Sequence, residues 1–198
     1  MPPIAPRQTD QQLARSAAQG DRAAFEAIVR RYARPLGEFA ANKAPTVQDA
    51  EDIVQETFLR AFVNIKTFDP RFSLKNWLFT IAYRLIVSGY RKKKPARLDG
   101  RACSEMIDDQ PNDDTQQDWL WELAEQIGDS VHTVLWLRYK QEMEIADIAK
   151  IMNRSQIGVR VLLHRARRKL AERIQNAAEN RADNPVRRTV LIEGTNRL

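Results

Sequence analysis

A chain of 198 residues, 43% hydrophobic and 29% charged, can bury one large core or two small ones. Only seven glycines and no alternating β-rich runs leave an all-α fold as the expectation, while no apolar run approaches the ~20 residues of a bilayer span. No signal-peptide pattern is present and the lone Cys103 has no disulfide partner, which argues against membrane insertion and for a reducing cytoplasm. The net charge of +6 is unevenly spread: residues 1–98 hold 17 basic and 9 acidic side chains, residues 99–122 hold 1 and 8, and residues 123–198 hold 14 and 9. Two basic blocks joined by an acidic strap point to a polyanionic partner.

Residues 1–9 contain three prolines and no periodicity and read as a flexible tail. A short helix follows over residues 10–19, with Thr9 or Asp10 as N-cap and Gly20 as its stop. Asp21 caps a second helix with an apolar stripe of Ala24, Phe25, Ile28, Val29 and Tyr32, which Pro35 is expected to kink or end. Thr46 is a candidate N-cap for a third. These helices read as a bundle sharing one core.

The third segment, residues 49–66, is the most informative. Ala50, Ile53, Val54, Phe58, Ala61, Phe62 and Ile65 recur at helical spacing and define its inner side. On the far side Asp52, Gln55 and Glu56 are followed by Leu59 and Val63 on a single stripe. Such a stripe is either a solvated face with two stray aliphatics or a partner-docking face, polar at one end and apolar at the other.

Ser73 can cap a fourth helix whose inward stripe is Leu78, Ile81, Ala82 and Leu85. A separate line carries Phe79, Tyr83 and Tyr90, with Lys75, Arg84 and the run from Arg91 to Lys94 beside it. Rings interleaved with cations suit single-stranded nucleic acid, because bases stack on the rings while the cations follow the phosphates. A core role for the rings is the alternative. Residues 95–118, rich in Asp, Asn, Gln and Pro, read as a disordered acidic linker, either a tether or a nucleic-acid mimic. Cys103 lies there without a metal-site or nucleophile pattern around it.

Trp119, Leu120, Leu123 and Ile127 suggest a helix opening a second unit, and Val131, Val134, Leu135 and residues 137–139 another. Ile145, Ile148, Ala149 and Met152 then form a short amphipathic helix. Asn153, Arg154 and Ser155 make a turn, Ser155 caps the next helix, and Val159, Leu163, Ala166 and Leu170 line its inner side. Two short helices joined by such a turn form a helix-turn-helix. The small Ala149 suits the close crossing, and Asn153 can take the left-handed conformation that glycine usually supplies. The second helix would enter the major groove with Gln156, Arg160 and His164 toward base edges, while Arg165, Arg167, Arg168 and Lys169 grip phosphates. The basic tail beyond about residue 180 has no assignable core.

These segments, in this order, resemble the extracytoplasmic-function (ECF) sigma factors of bacterial RNA polymerase over roughly residues 10–173. DRAAFEAIVRRY at 21–32 and DAEDIVQETFLRAF at 49–62 match the family's polymerase-binding part, and NWLFTIAYRL at 76–85 resembles the segment that opens the downstream promoter element. LWLRY at 135–139, IADIA at 145–149 and LHRARRKL at 163–170 match the domain that reads the upstream element. The resemblance implies two small helical domains, residues 10–94 and 119–175, joined by the acidic linker and flanked by the two tails. It implies that Asp52, Gln55, Glu56 and Leu59 contact the beta-prime clamp of core polymerase, and that the linker threads the polymerase cleft near the RNA exit path. Lys75, Trp77, Phe79, Tyr83, Arg84, Arg91 and Lys92 become the candidates for the downstream element and melting. Ser155, Gln156, Arg160, His164, Arg165, Arg167 and Arg168 become those for the upstream element. The implied partners are core polymerase (beta-prime and beta subunits), duplex and single-stranded promoter DNA, and an anti-sigma factor. The implied location is the cytoplasm, on the nucleoid when polymerase-bound. No cofactor and no metal are implied.

Several residues depart from the family pattern. Arg84 and Ser88 stand where Asn and Asp are usual, and Arg160, Val161 and Leu162 where Lys, Ser and Arg are usual. Asn153 replaces the turn glycine, Arg154 an apolar residue, and Gly158 weakens the helix start by about 1 kcal/mol relative to alanine. An altered promoter preference or weak DNA reading follows. Competing readings are a helix-turn-helix regulator that never joins polymerase, which leaves the stripe from Asp52 to Val63 unexplained, and a polymerase-binding protein with degenerate promoter recognition. Enzymatic activity is not expected, since no His, Cys and carboxylate cluster or phosphate-cradling glycine loop is present; a metal-dependent nuclease would have to draw its carboxylates from helix exteriors.

Overall fold

The computed structural model describes residues 8–92, 121, 124 and 127–182, with side chains placed up to residue 89 in the first stretch and residue 175 in the last. All regular elements among these residues are helical: α1 Asp10–Ala18, α2 Arg22–Ala41, α3 Val47–Asn64, α4 Leu74–Lys92, α5 Asp129–Leu135, α6 Ile145–Ile151 and α7 Gln156–Ala182. Residues 1–7 of the expected tail at 1–9, the linker at 95–118 with Cys103, the apolar residues Trp119, Leu120 and Leu123, and residues 183–198 of the expected tail at 176–198 lie outside the described residues, whereas residues 176–182 are helical and continue α7.

Local chemistry sets the boundaries in the first half. Thr9 and Gln12 form a reciprocal capping box, Thr9 N–H donating to Gln12 Oε1 at 2.8 Å and Gln12 N–H to Thr9 Oγ1 at 3.3 Å. Gly20, at φ +97°, makes the left-handed step between α1 and α2. The Asp21 carboxylate accepts from Ala23 and Ala24 N–H, and Thr46 Oγ1 accepts from Asp49 N–H at 3.0 Å. Ser73 Oγ accepts from Asn76 N–H at 3.3 Å.

α2 continues past Pro35 to Ala41, so the helix does not end there. Loss of one helical hydrogen bond and the ring clash cost about 3 kcal/mol. Leu36 and Phe39, both fully buried just beyond it, return about 1.5–3 kcal/mol each. Packing overrides the local breaker.

In the bundle α2 packs against α1, α3 and α4, with Ile28, Leu36, Phe39, Leu74, Leu78 and Phe79 at its centre. Tyr32 O–H donates to the Asp10 carboxylate, which Arg31 also grips, and this ties α1 to α2. Burial and that carboxylate push the Tyr32 hydroxyl well above its usual range. In the second group α7 packs against α5 and α6 around Val134, Leu137, Ile148, Ile151, Val159, Leu163 and Ala166. Between α5 and α6 the chain widens into a π-turn over Trp136–Lys140, closed by Gln141 N–H donating to Trp136 C=O at 3.1 Å.

The two helical groups touch. α4 packs against α6, and buried residues form one continuous cluster across both groups. Lys75 Nζ donates to the Gln141 carbonyl at 2.8 Å, and Lys150 Nζ sits 5.4 Å from the Phe72 ring centroid. Lys43, at the end of α2, is buried with its Nζ 2.8 Å from His132 Nδ1 and 3.3 Å from the Asp129 carbonyl. Burial first, and the Lys43 charge second, lower the His132 pKa to about 3. The imidazole is therefore neutral, with Nδ1 accepting from the ammonium.

Candidate functional site

The α3 stripe is exposed as its spacing requires. Asp52 and Gln55 are exposed, Glu56 is half-buried, and Leu59 and Val63 are 57% and 70% exposed. Thr57, Phe58 and Ala61 on the opposite side are buried. Glu56 holds Arg60 through an ion pair of 2.6 Å. Phe62, placed by spacing on the inner side, is half-exposed instead, with its ring edge-on to Phe25 at 5.0 Å between centroids. It therefore widens the apolar end of the stripe. Two aliphatics and half an aromatic ring beside a row of polar side chains make a face able to dock a partner of mixed chemistry.

The aromatic line of α4 is not brought together. Phe79 is fully buried with its ring 5.3 Å from that of Phe39, so it belongs to the bundle core and is not a base-stacking residue in this structure. The inward stripe is correspondingly wider than expected: Leu74, Leu78, Phe79, Ala82 and Ile86 are buried, whereas Ile81 and Leu85 are half-buried. Trp77 is half-buried against Phe68, at 5.1 Å between centroids. Tyr83 is half-buried; burial raises its hydroxyl pKa, and the charge of Arg154 from the helix-turn-helix lowers it. Lys75 is half-buried on Gln141, and burial lowers its pKa. Arg84 is exposed and free to meet solvent or ligand. The side chains of Tyr90, Arg91 and Lys92 lie outside the described residues.

The helix-turn-helix is α6, a turn and α7. Asn153 sits at φ 51°, in the left-handed conformation, and Ala149 is buried at the crossing. Ser155 Oγ accepts from Gly158 N–H at 3.0 Å and caps α7. A Cβ on Gly158 would meet that same oxygen at 3.2 Å, so the glycine that weakens helix propensity also leaves room for the cap. Gln156, Arg160, His164, Arg165, Arg167, Arg168 and Lys169 are all exposed. Arg167 Nε donates to Tyr139 Oη at 2.7 Å with its guanidinium 5.8 Å from the ring centroid, and Arg168 pairs with Glu172 at 3.4 Å. Sequence reasoning missed Ile157 and noted Val161 only as a departure from the family pattern; they are exposed at 71% and 43% on the same face. It also missed Tyr139, exposed at the π-turn, and the pair of Lys43 and His132, 89 residues apart. Only the exposed aliphatics had a signal, their offset from the stripe of Val159 and Leu163.

A basic helix presented beyond a capped turn, and a second basic helix over an all-α bundle, fit a DNA-binding protein of two helical parts. The sigma-70 region 2 family matches residues 28–95 and the sigma-70 region 4 family residues 117–170. The ECF RNA polymerase sigma factor SigW of Bacillus subtilis is 31% identical over 173 residues, covering 80% of this chain and 92% of the relative. The chain belongs to the ECF sigma factors. The ECF RNA polymerase sigma-E factor of Haemophilus influenzae is 28% identical over 187 residues, 87% of this chain and 98% of its own. The solved structure of CnrH, in complex with the cytosolic domain of CnrY, superposes with a TM-score of 0.63 at 26% identity, covering 88% of this chain and 99% of that one. RpoE of Bartonella quintana, solved with the anti-sigma factor NepR, shares the fold at a TM-score of 0.59 and 20% identity, over 76% of this chain and 96% of that one. As an ECF sigma factor the chain is a subunit for transcription initiation that binds RNA polymerase and promoter DNA. Among the described residues no helix of this sigma factor is long and apolar enough to cross a membrane.

Proposed function

We propose that residues 10–94 form the unit that joins core polymerase and opens promoter DNA, and residues 119–175 the unit that reads the upstream element, with residues 95–118 the linker between them. Asp52, Gln55, Glu56 and Leu59 dock on the beta-prime clamp, extended at the apolar end by Val63 and Phe62. The observation that carries this assignment is the exposed stripe of α3, polar and then aliphatic, on a helix whose opposite face is already satisfied by the bundle. Arg84, with Arg91 and Lys92 further along α4, follows the phosphates of the opened strand. Lys75 joins them when its contact to Gln141 is released, and the half-buried Trp77 and Tyr83 lie on the same helix. In the upstream reader Ser155 fixes the start of α7, Gln156, Arg160 and His164 face bases, and Arg165, Arg167 and Arg168 grip phosphates. The protein carries out no bond chemistry of its own and works in the cytoplasm. An anti-sigma protein is a fitting regulator, since RpoE of Bartonella quintana was solved in complex with the anti-sigma factor NepR.

Binding of the full chain to bacterial core polymerase tests the docking assignment. Replacing Gln55 and Glu56 together by alanine is expected to weaken that binding, by about 1–3 kcal/mol if both groups are desolvated at the contact. Duplex affinity of the free chain is expected to stay the same. Unchanged polymerase affinity refutes the assignment of α3.

A further inference from the structure

The face that α7 turns outward is not wholly polar. Ile157, in its first turn, is 71% exposed and Val161, one turn on, is 43% exposed. Their i, i+4 relation stacks them on one side of the helix. At 100° per residue, Ile157 lies between the edge carrying Gln156 and Arg160 and the edge carrying Val161, near the middle of the exposed face. The opposite side, Val159, Leu163 and Ala166, is buried against α5 and α6, so neither aliphatic is needed by the core. Around them the rim is cationic: Arg160, Arg165, Arg167, Arg168 and Lys169 are exposed, and residues 156–170 contain no acidic side chain. An apolar centre inside a cationic rim fits a polyanion with apolar groups at the bottom of a groove. Duplex DNA supplies that combination at one chemical group, the C5-methyl of thymine in the major groove.

We propose that Ile157 and Val161 are specificity-determining residues of α7 and read thymine methyl groups in the upstream promoter element. The inference rests on the reading above that α7 enters the major groove. Gln156 and Arg160 supply the hydrogen bonds on one edge of the face, and the two aliphatics supply a contact that only thymine can return. The missing Lys-Ser-Arg set is then a change of readout chemistry rather than a loss of reading.

The test removes the methyl groups without touching a hydrogen bond. The full chain, assembled with core polymerase, is used to select promoters from a random library. Each thymine of the selected upstream element is then replaced by deoxyuridine, one strand and one position at a time. One or two adjacent positions are expected to lose about fourfold in affinity per methyl group, the value for burying one such group. In Ile157→Ala or Val161→Ala, the deoxyuridine effect at the matching position is expected to disappear. An upstream element without thymine, indifference to deoxyuridine at every position, or a deoxyuridine effect that survives both substitutions would overturn the proposal. So would loss of core polymerase binding in Ile157→Ala without DNA, which would assign the patch to a protein partner. The deoxyuridine scan on the unaltered chain needs no variant to fold. An Arg167→Ala, Arg168→Ala variant separates the two levels. If it weakens promoter binding while deoxyuridine is silent, only methyl reading fails; if it changes nothing, the placement of α7 in the groove fails with it.

Discussion

Helices α4 and α7 both carry the basic residues proposed to meet DNA, yet they stand in opposite situations. α4 is enclosed: Phe79 fills the bundle, Trp77 lies on Phe68, and Lys75 is held by the Gln141 carbonyl of the other helical group. α7 keeps its inner side in a core and, up to residue 175, turns its outer face to solvent. Cations at helical spacing are thus partly tied into the fold in α4 and left exposed in α7. Which role a side chain takes is decided by the neighbour across from it, not by its spacing.

That contrast can be broken most directly at Phe79. Phe79→Ala is expected to cost about 3–5 kcal/mol of stability, as for other buried aromatic truncations, read as a lowered midpoint in urea unfolding. Ile157→Ala should stay within about 0.5 kcal/mol, as for exposed positions. A Phe79→Ala chain that unfolds at the native midpoint would return that ring to the DNA-binding surface.

The enclosure of α4 depends on pH through His132. Its pKa is about 3 where the two helical groups meet and rises toward the free value of about 6.5 as burial and the Lys43 charge are removed. The closed contact binds fewer protons than the open one, so its stability is complete above pH 6.5. It declines as pH falls and levels off below about pH 3. Each unit inside that window weakens the contact by up to about 1.4 kcal/mol. Lys43 is the cation facing His132 from α2, and its charge adds to the effect because two cations would stand 2.8 Å apart. Fluorescence of Trp121 and Trp136, whose rings contact His132, recorded between pH 7 and 5, should report the opening. His132→Gln should flatten the profile. A profile that His132→Gln leaves unchanged would remove this pair from the contact.

The smallest effect sharpens the α7 side. Replacing Arg167 and Arg168 by alanine is expected to reduce the slope of log affinity against log salt by about one to two. Affinity should fall alike for all duplex sequences. An unaltered slope would show that these guanidinium groups do not meet phosphates.

Much of the fold was legible because its determinants are local. Thr9 with Gln12, Asp21, Thr46, Ser73 and Ser155 each cap the helix that follows through atoms two or three residues away, and Asn153 takes the left-handed step of the turn. The α3 stripe was legible for the same reason, since its exposure follows from the angle between its residues and the buried Phe58 and Ala61. Phe79 was misplaced because an apolar face has a width that spacing does not specify: residues 78 and 79 both reach the core, and the residue opposite, Phe39, lies 40 positions earlier. Pro35 does not end α2 because the burial that outweighs it, at Leu36 and Phe39, is tertiary. The contact of Lys43 with His132 had no local signal at all.

The π-turn of Trp136–Lys140 has a kinetic consequence. Its extra residue brings out the Tyr139 hydroxyl, which engages Arg167 through Nε and leaves the two terminal nitrogens of the guanidinium for an outside acceptor. A side chain held in this way has already lost much of the rotamer freedom that binding would otherwise remove. Its preorganisation lengthens the residence time of a bound anion rather than hastening its arrival, because long-range attraction depends on the charge and not on the rotamer. Tyr139→Phe keeps that charge and the ring beneath it, so its effect should fall on the dissociation rate alone.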